Sequence, residues 1–302
     1  MKKNEAVIPE QVIGINKVFF RAQVNMPIKI YKTFIYCLCQ IRWKEDYFPE
    51  VIEINKKELA KVLNLNYDMK HLSVELFKII DDMREQSTIC IAKKDLSVYS
   101  SGNLIRRVIN NRGTISVMFD LYYKNLFCNL SDNFVTLYSK DIFNFKNEKT
   151  LKLYEYLRLN SNTSLVNTHT FSIEDLKKIF KLPNDAYIKK NGKTDVYNFN
   201  KYVLEPVLNE LNRCTLIGIK KQDGSLYKCK IQKNKSEMLV SYTIKYTIDP
   251  INVVSEKTGK TASISEKKTG KNKVTNIKNT GVYYDSDEQI DFNELEKKLL
   301  AK

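Results

Sequence analysis

The chain has 302 residues, 43% of them hydrophobic, and at about 150 residues per domain its length favours two domains, each with its own core. Fifty Lys and Arg against 35 Asp and Glu give a net charge of +15, which makes a polyanion, nucleic acid above all, the leading partner. The longest apolar run, Phe34 to Cys39, has six residues, where a membrane-spanning helix needs about 20. We therefore predict no membrane partner, and the short, interrupted apolar pieces near the N-terminus favour a cytoplasmic protein.

The predicted elements follow an order that occurs twice. An amphipathic helix over 27–41 precedes a short strand and helix at 54–65, and a longer helix follows at 69–86. Without a gap, the segment 171–182 repeats the pattern of 54–65. In the two copies Asn55 and Ser172 occupy the position of a helix N-cap. Each copy therefore begins with the same short amphipathic helix.

Each copy continues from its longer helix into a strand and then a hairpin. The first hairpin is predicted over 103–120, with its turn at 111–113, and the second over 225–248. A further helix, 147–159, precedes the second copy. Helix, short strand, helix, helix, strand and hairpin is the order of a winged helix-turn-helix. The fold class predicted is α+β, with tandem winged helix-turn-helix domains.

These patterns divide the chain into three parts. We predict an N-terminal winged-helix domain at 1–140, a C-terminal winged-helix domain at 141–252, and a C-terminal extension at 253–302. Between 255 and 281 the extension is rich in Lys, Thr, Ser and Asn, which predicts a disordered basic tether. Its last 20 residues are acidic and place apolar residues on one helical face. In the second long helix, Pro206 predicts a kink or a restart.

The longer helix of a winged-helix domain enters the major groove, so its outward polar residues are candidate DNA contacts. Asn suits adenine edges and Lys suits guanine edges. The same residues would also be compatible with a solvated polar face, an alternative that is nearly as good in the first copy. The candidates on these helices are Lys70, His71, Ser73 and Lys78 in the first copy, and Asn198, Asn200, Lys201, Tyr202, Asn209 and Arg213 in the second.

The predicted wings concentrate cations on exposed hairpins, where side chains contact phosphates and contribute affinity without sequence information. Three lysines just before the second long helix extend this basic surface. The candidates are Arg106, Arg107 and Arg112 in the first wing, Lys220, Lys221, Lys228 and Lys230 in the second, and Lys189, Lys190 and Lys193 before the helix.

Other chemistries find little support. The six cysteines contain no C-x-x-C pair, and only two histidines occur, His71 and His169, so we predict no metal site and no cofactor. The end of a phosphate-binding loop is suggested by Gly259-Lys260-Thr261, but the glycine required five positions earlier is Val254. The 18 tyrosines leave a DNA-nicking enzyme as a remote alternative, although the usual His-x-His is missing. We predict no catalytic residue.

The second copy carries a motif that resembles a known family. Val203-Leu-Glu-Pro-Val-Leu-Asn-Glu-Leu-Asn212 is similar to the V-L-x-P-A-x-x-E-I-N pattern in replication initiators of iteron-containing, theta-replicating plasmids. The upstream helix Thr150-Leu-Lys-Leu-Tyr-Glu-Tyr-Leu157 resembles their S-x-R-L-Y-E-L-L pattern, and Val12-Ile-Gly-Ile-Asn16 resembles their V-x-x-N opening. The family's basic cluster before V-L-x-P is reduced here to Lys201.

This resemblance implies an initiator with two winged-helix domains that binds direct repeats in the origin as double-stranded DNA. It also implies a homodimer through the N-terminal domain, opening of an AT-rich segment, and recruitment of the host initiator and helicase. As a dimer, such a protein often represses its own gene. The alternative from another functional class is a winged-helix transcriptional regulator without initiator activity.

Overall fold

The computed structural model describes residues 11–22, 26–65, 69–92, 99–131, 133–161, 166–215, 218–219, 228–233 and 238–247. The predicted tether and acidic tail at 253–302 lie outside these residues. Within them the chain forms an α+β structure in which one arrangement of helices and strands occurs twice. The predicted tandem of winged-helix domains is confirmed.

The first copy holds the elements up to residue 138. They are β1 (Val12–Asn16), α1 (Lys17–Arg21), α2 (Ile28–Leu38), β2 (Val51–Asn55), α3 (Lys56–Val62), α4 (Met69–Gln86), β3 (Thr88–Ala92), β4 (Tyr99–Asn103), β5 (Ile105–Asn110), β6 (Thr114–Phe119), a 3₁₀ helix (Leu121–Leu126) and β7 (Phe134–Tyr138). Helix α4 has the predicted bounds. The first strand of the predicted hairpin was placed too early, because Asn103 ends β4, which pairs with β3, and the wing strand β5 begins at Ile105.

The second copy holds the elements from residue 139 onward. They are α5 (Ser139–Asn144), α6 (Glu148–Leu159), β8 (Val166–Ser172), α7 (Ile173–Ile179), α8 (Val196–Phe199), a π-helical segment (Asn200–Leu204), α9 (Glu205–Cys214), β9 (Gly218–Ile219), β10 (Lys228–Lys233) and β11 (Met238–Thr247). The predicted domain boundary at 140/141 falls inside α5 and stays a prediction.

Equivalent strands pair in the same order in the two copies. In the first, β6 lies between β2 and β5, and all neighbours are antiparallel. In the second, β11 lies between β8 and β10, and both pairings are again antiparallel. The strand before the short helix therefore pairs with the second strand of the wing in both copies. This pairing holds each wing against its own helices.

The short helices α3 and α7 begin and end alike. The side chain of Asn55 accepts a hydrogen bond from the backbone N–H of Lys57 at 2.9 Å, and Ser172 forms a reciprocal capping box with Asp175. Both predicted N-caps are confirmed. At their C-terminal ends, Asn64 and Lys181 adopt positive φ angles of 54° and 52°. This left-handed residue ends each helix after the same number of residues.

The predicted apolar faces form the core. Five residues of α4 are each at most 5% exposed: Leu72, Leu76, Ile79, Ile80 and Met83. The corresponding residues of the second copy are at most 1% exposed: Phe199, Val203, Val207, Leu208 and Leu211. Burial of these side chains leaves the opposite helix faces to solvent.

A buried carboxylate joins α9 to the start of α6. Glu210, which is 8% exposed, accepts hydrogen bonds from the backbone N–H groups of Lys146 at 2.8 Å and Asn147 at 3.3 Å. It also accepts one from the Thr150 hydroxyl at 2.5 Å. The two backbone donors lie at the N-cap of α6 and just before it, where N–H groups have no intrahelical partner, and the hydroxyl belongs to the first turn. The glutamate of the V-L-x-P motif is therefore a structural residue.

Candidate nucleic-acid interface

The residues from 196 to 214 form one uninterrupted helical run, here called the 196–214 helix. Asp195 caps its start by accepting a hydrogen bond from the N–H of Asn198. The π-helical segment gives way to α9 just before Pro206, which stands in the first turn of α9. A wider π turn accommodates the missing N–H of proline without ending the helix. The predicted restart at Pro206 is thus a change of helix type.

Three large side chains project from the outer face of this helix. Tyr197 is 69% exposed and Tyr202 is 61% exposed. The ammonium group of Lys201 lies 5.8 Å from the centroid of the Tyr197 ring and 5.2 Å from that of Tyr202. These distances are within the range of cation–π attraction, so the rings restrain the ammonium group. Farther along, Asn209 and Arg213 are also exposed.

Two predicted contact residues do not stand free on that face. Asn200 is half-buried, and its side-chain oxygen accepts a 2.6 Å hydrogen bond from the hydroxyl of Tyr242 on β11. Asn198 is also half-buried and donates to the carboxylate of Asp195 at 2.7 Å. The helical pattern placed both outside, but neighbours on the cap and the sheet draw them inward. The bond with Tyr242 positions the helix against the sheet, and the bond with Asp195 strengthens the helix cap.

A small hairpin precedes the helix and carries the predicted lysine cluster. It is closed by a bridge between Ile188 and Thr194. The turn between them is possible because Gly192 takes a positive φ of 75°. All three lysines of the turn are exposed, and Lys189 forms an ion pair with Asp195 at 3.9 Å. The side chains of Lys189, Lys190 and Lys193 therefore face solvent just before the helix.

The second wing is described only in part. Lys228 and Lys230 belong to β10, opposite Thr243 and Ser241 of β11. Lys220 and Lys221 lie outside the described residues. The structure confirms the pairing of the two wing strands, and the contribution of these four lysines to DNA binding stays a prediction.

The first wing is described throughout. A bulge between Ile105 and Arg107 shifts the register of β5, and both Arg106 and Arg107 are exposed. At the tip, Arg112 is exposed beside Gly113, whose φ of 111° requires glycine. A charge of +3 therefore lies on the first strand and the tip of this hairpin. Such a group of guanidinium side chains suits phosphate contacts.

A buried lysine fixes the tip of this wing. Lys56 is 5% exposed, and its ammonium group donates to the carbonyl of Asn111 at 2.6 Å and to the hydroxyl of Ser73 at 2.9 Å. Burial lowers the pKa of Lys56. Ser73, predicted as a DNA contact, is therefore half-buried and engaged by this lysine. The bond ties the wing turn to the face of α4.

The outer face of α4 carries an apolar residue among its predicted contact residues. His71 and Lys78 are exposed as expected, and Lys70 lies in the first turn of the helix. Between them Val74 is 71% exposed, the most exposed of the large hydrophobic side chains described. Neither Tyr197 nor Val74 was predicted from the sequence to face outward. The signal that could have found them is an apolar or aromatic residue on the polar face of a predicted groove helix.

The remaining ionisable groups have structural surroundings. His169 stacks on Tyr246 with ring centroids 5.8 Å apart, and burial lowers the pKa of its ring. Cysteines 37, 39, 90, 128 and 214 are free thiols. Among the described residues, no group of His, Cys, Asp and Glu is arranged to hold a metal ion. No helix in the same part of the chain has the length and apolar character to cross a membrane.

Comparisons with known proteins agree with this arrangement. The family model described as initiator replication protein, WH1, matches residues 15–158, and that described as initiator Rep protein, WH2, matches residues 172–246. The fold is similar to that of the Pi initiator protein, solved in complex with iteron DNA. The TM-score is 0.59 at 15% identity, over 80% of this chain and 99% of that chain.

Domains 2 and 3 of RctB also match, with a TM-score of 0.42 and 10% identity over 74% of this chain and 81% of that chain. No match was found among curated proteins. At 15% identity the Pi initiator structure shows a shared fold, whereas the two family models together span more than half of the chain. The chain belongs to the initiator Rep protein family and contains its WH1 and WH2 domains.

Proposed function

We propose that this protein initiates plasmid replication by binding direct repeats in the origin as double-stranded DNA. Membership of the initiator Rep family supports this function, as does a fold shared with an initiator solved on iteron DNA. The observation that carries the proposal is the outer face of the 196–214 helix. There Tyr197, Lys201 and Tyr202 stand exposed beside a turn with three exposed lysines.

The second copy supplies base recognition. Its helix has a buried apolar face and an outer face that is free to enter a major groove, where base edges differ in their donors and acceptors. Lys201 is the leading base contact because its ammonium group, held between two rings, suits the acceptors of guanine. Lys190 and Lys193 then contact the adjacent phosphates.

The first copy supplies mainly affinity. Arg106, Arg107 and Arg112 reach the DNA backbone from a wing whose tip is fixed by Lys56. Phosphate contacts set position and strength but carry no base information. With the wing of the second copy, this hairpin clamps the repeat.

Binding is the first step of a longer process. In this proposal, the protein bound to repeats opens an adjacent AT-rich segment and recruits the host initiator and helicase. A homodimer formed through the N-terminal domain represses the protein's own gene. The protein acts in the cytoplasm by binding its partners, and it performs no catalytic step.

Binding to DNA flanking the gene tests the proposal directly. We expect several direct repeats of about 20 base pairs there, two turns of the double helix. The purified protein should prefer such a repeat to a shuffled duplex. With about 6 to 10 phosphate contacts, affinity should fall roughly 10³- to 10⁵-fold between 50 and 200 mM salt. A flat salt dependence would contradict the clamp by two wings.

The substitution Lys201→Ala tests base recognition. It should weaken binding to the repeat by about 1–3 kcal/mol more than binding to the shuffled duplex. Lys29→Ala, which removes an exposed lysine of α2, is the control and should leave that difference unchanged. Equal losses on both duplexes would assign Lys201 to a phosphate.

Initiation itself is tested in cells. A plasmid that carries the repeats but lacks the gene should replicate only when the protein is supplied from elsewhere. Specific binding without replication would instead indicate a transcriptional regulator.

A further inference from the structure

Two tyrosines on the 196–214 helix present their rings to solvent in a domain that buries most of its aromatic side chains. Tyr197 is 69% exposed and Tyr202 is 61% exposed, whereas Phe199 on the same helix is fully buried. An exposed ring contributes nothing to the core. It is therefore available to a ligand that meets this face.

Tyr197 occupies a particular place on the helix. It is the second residue of α8, two positions after the capping residue Asp195. Residues in the first turn of a groove-binding helix come closest to base edges. Lys201 lies four residues farther on, so the ring and the ammonium group share one face of the helix. The Tyr197 ring is thus the leading apolar surface on that face.

The major groove offers one apolar feature to such a ring. The C5-methyl group of thymine projects into the groove, and apolar side chains distinguish thymine by contacting it. A purine offers polar acceptors at the equivalent depth, which suit the neighbouring ammonium group. The pair of Tyr197 and Lys201 therefore matches a site that contains both thymine and guanine.

We propose that Tyr197 is a specificity-determining residue that reads a thymine of the repeat through its C5-methyl group. The inference rests on the proposed binding of duplex repeats. Tyr197 also restrains Lys201, whose ammonium group lies 5.8 Å from its ring centroid, so the aromatic ring positions the neighbouring guanine contact. The hydroxyl group of Tyr197 is not needed for either role.

Replacing thymine by deoxyuridine removes only the methyl group and tests this reading. Each thymine of the repeat is replaced in turn, and duplex affinity is measured for the wild type, Tyr197→Ala and Tyr197→Phe. The control is Tyr47→Ala, which removes a tyrosine that is 62% exposed in the other domain. A thermal melt of each variant verifies folding, which an exposed ring should not affect.

For the wild type we expect one thymine at which loss of the methyl group weakens binding about fourfold, the effect of one buried methyl-sized group. Tyr197→Ala should bind the unmodified repeat more weakly and lose nothing further at that position. Tyr197→Phe and Tyr47→Ala should retain the wild-type response.

Three outcomes measured on duplex DNA would overturn the inference. They are no sensitive thymine in the wild type, the same sensitivity in Tyr197→Ala, or equal losses of Tyr197→Ala on repeat and shuffled duplex. If Tyr197→Ala weakened binding only to the separated single strand of the repeat, the ring would instead stack on unpaired bases. That result would also overturn the inference. If the wild type does not prefer the repeat at all, the proposed function fails instead.

Discussion

The two winged-helix copies share their topology but present different chemistry on equivalent helices. The 196–214 helix exposes two tyrosines around Lys201. Helix α4 exposes Val74 and ends in an acidic stretch, where Arg84 pairs with Asp81 at 3.0 Å. A phosphate backbone is repelled by acidic groups, so the C-terminal half of α4 is a poor partner for it.

In the first copy the basic charge lies on the wing instead of the helix. The first wing holds Arg106, Arg107 and Arg112 on a hairpin whose tip is fixed to α3 and α4 by Lys56. A rigid, basic wing beside a weakly basic helix suits backbone contact, whereas the second copy offers a helix suited to bases. In the proposed function, one duplicated fold thus divides affinity and specificity between its two copies.

The largest expected effect is on stability and separates Glu210 from Asp82, which occupies the equivalent position when 80–91 is aligned with 208–219. Glu210→Ala leaves the buried Thr150 hydroxyl and two part-buried backbone N–H groups at the start of α6 without this partner, which should lower the free energy of unfolding by about 3 kcal/mol. Asp82→Ala removes a half-exposed side chain and should change the free energy of unfolding by less than about 0.5 kcal/mol. Chemical denaturation measures both, and similar losses would show that the two copies use this position alike.

The next effect concerns the first wing. Replacing Arg106, Arg107 and Arg112 together by Ala should reduce the salt slope of binding by about 2.7 and affinity by roughly a hundredfold at 0.15 M salt. The loss should be the same on the repeat and on a shuffled duplex, because phosphates carry no sequence information. A loss restricted to the repeat would assign base recognition to the first copy.

A third prediction concerns the helices that precede each copy. Helix α2 buries Lys32, which donates to the carbonyl of Phe143 at 2.8 Å, whereas α6 buries Arg158 over the ring of Tyr138. Near Arg158, burial raises the pKa of Asp141 to about 6 from an ordinary value of 3.8. The folded state therefore favours the protonated acid.

Stability contributed by Asp141 should rise as pH falls from about 7 to about 4, and be lost as pH rises through 6. Asp141→Asn should remove this dependence and raise the free energy of unfolding at pH 8 by about 2 kcal/mol. The control Asp185→Asn alters an exposed carboxylate and should retain the wild-type profile. An unchanged profile in Asp141→Asn would place the titrating group elsewhere.

The smallest effect is expected on α4. His71→Ala and Lys78→Ala remove exposed side chains and should each weaken repeat binding by less than about 1 kcal/mol. Competition with a shuffled duplex should show no change in preference. A selective loss from either variant would indicate that α4 also reads bases.

Much of the fold follows from local sequence. Helical periodicity placed α4 at its observed bounds, and the capping residues Asn55 and Ser172 marked the starts of α3 and α7. These features depend on neighbours within a few residues. The repeat then predicted both wings, because equivalent segments take equivalent places in the sheet.

The candidate site was predicted less completely, because side-chain partners come from distant parts of the chain. Asn200 is held by Tyr242 and Ser73 by Lys56, contacts that helical periodicity does not contain. Tyr197 was not predicted because it lies among polar residues, a pattern that indicates hydrogen bonding to bases rather than apolar contact. Its position in the first turn, four residues before Lys201, is the signal that finds it.

Chemical interference on a single repeat tests the division between the copies most directly. Ethylated phosphates and methylated guanines that prevent binding are mapped along the same duplex. Phosphate interference should cover both halves of the repeat, whereas guanine interference should cluster in one half and disappear there in Lys201→Ala. Guanine interference of equal strength in both halves, unchanged by that substitution, would contradict the assignment of specificity to the second copy.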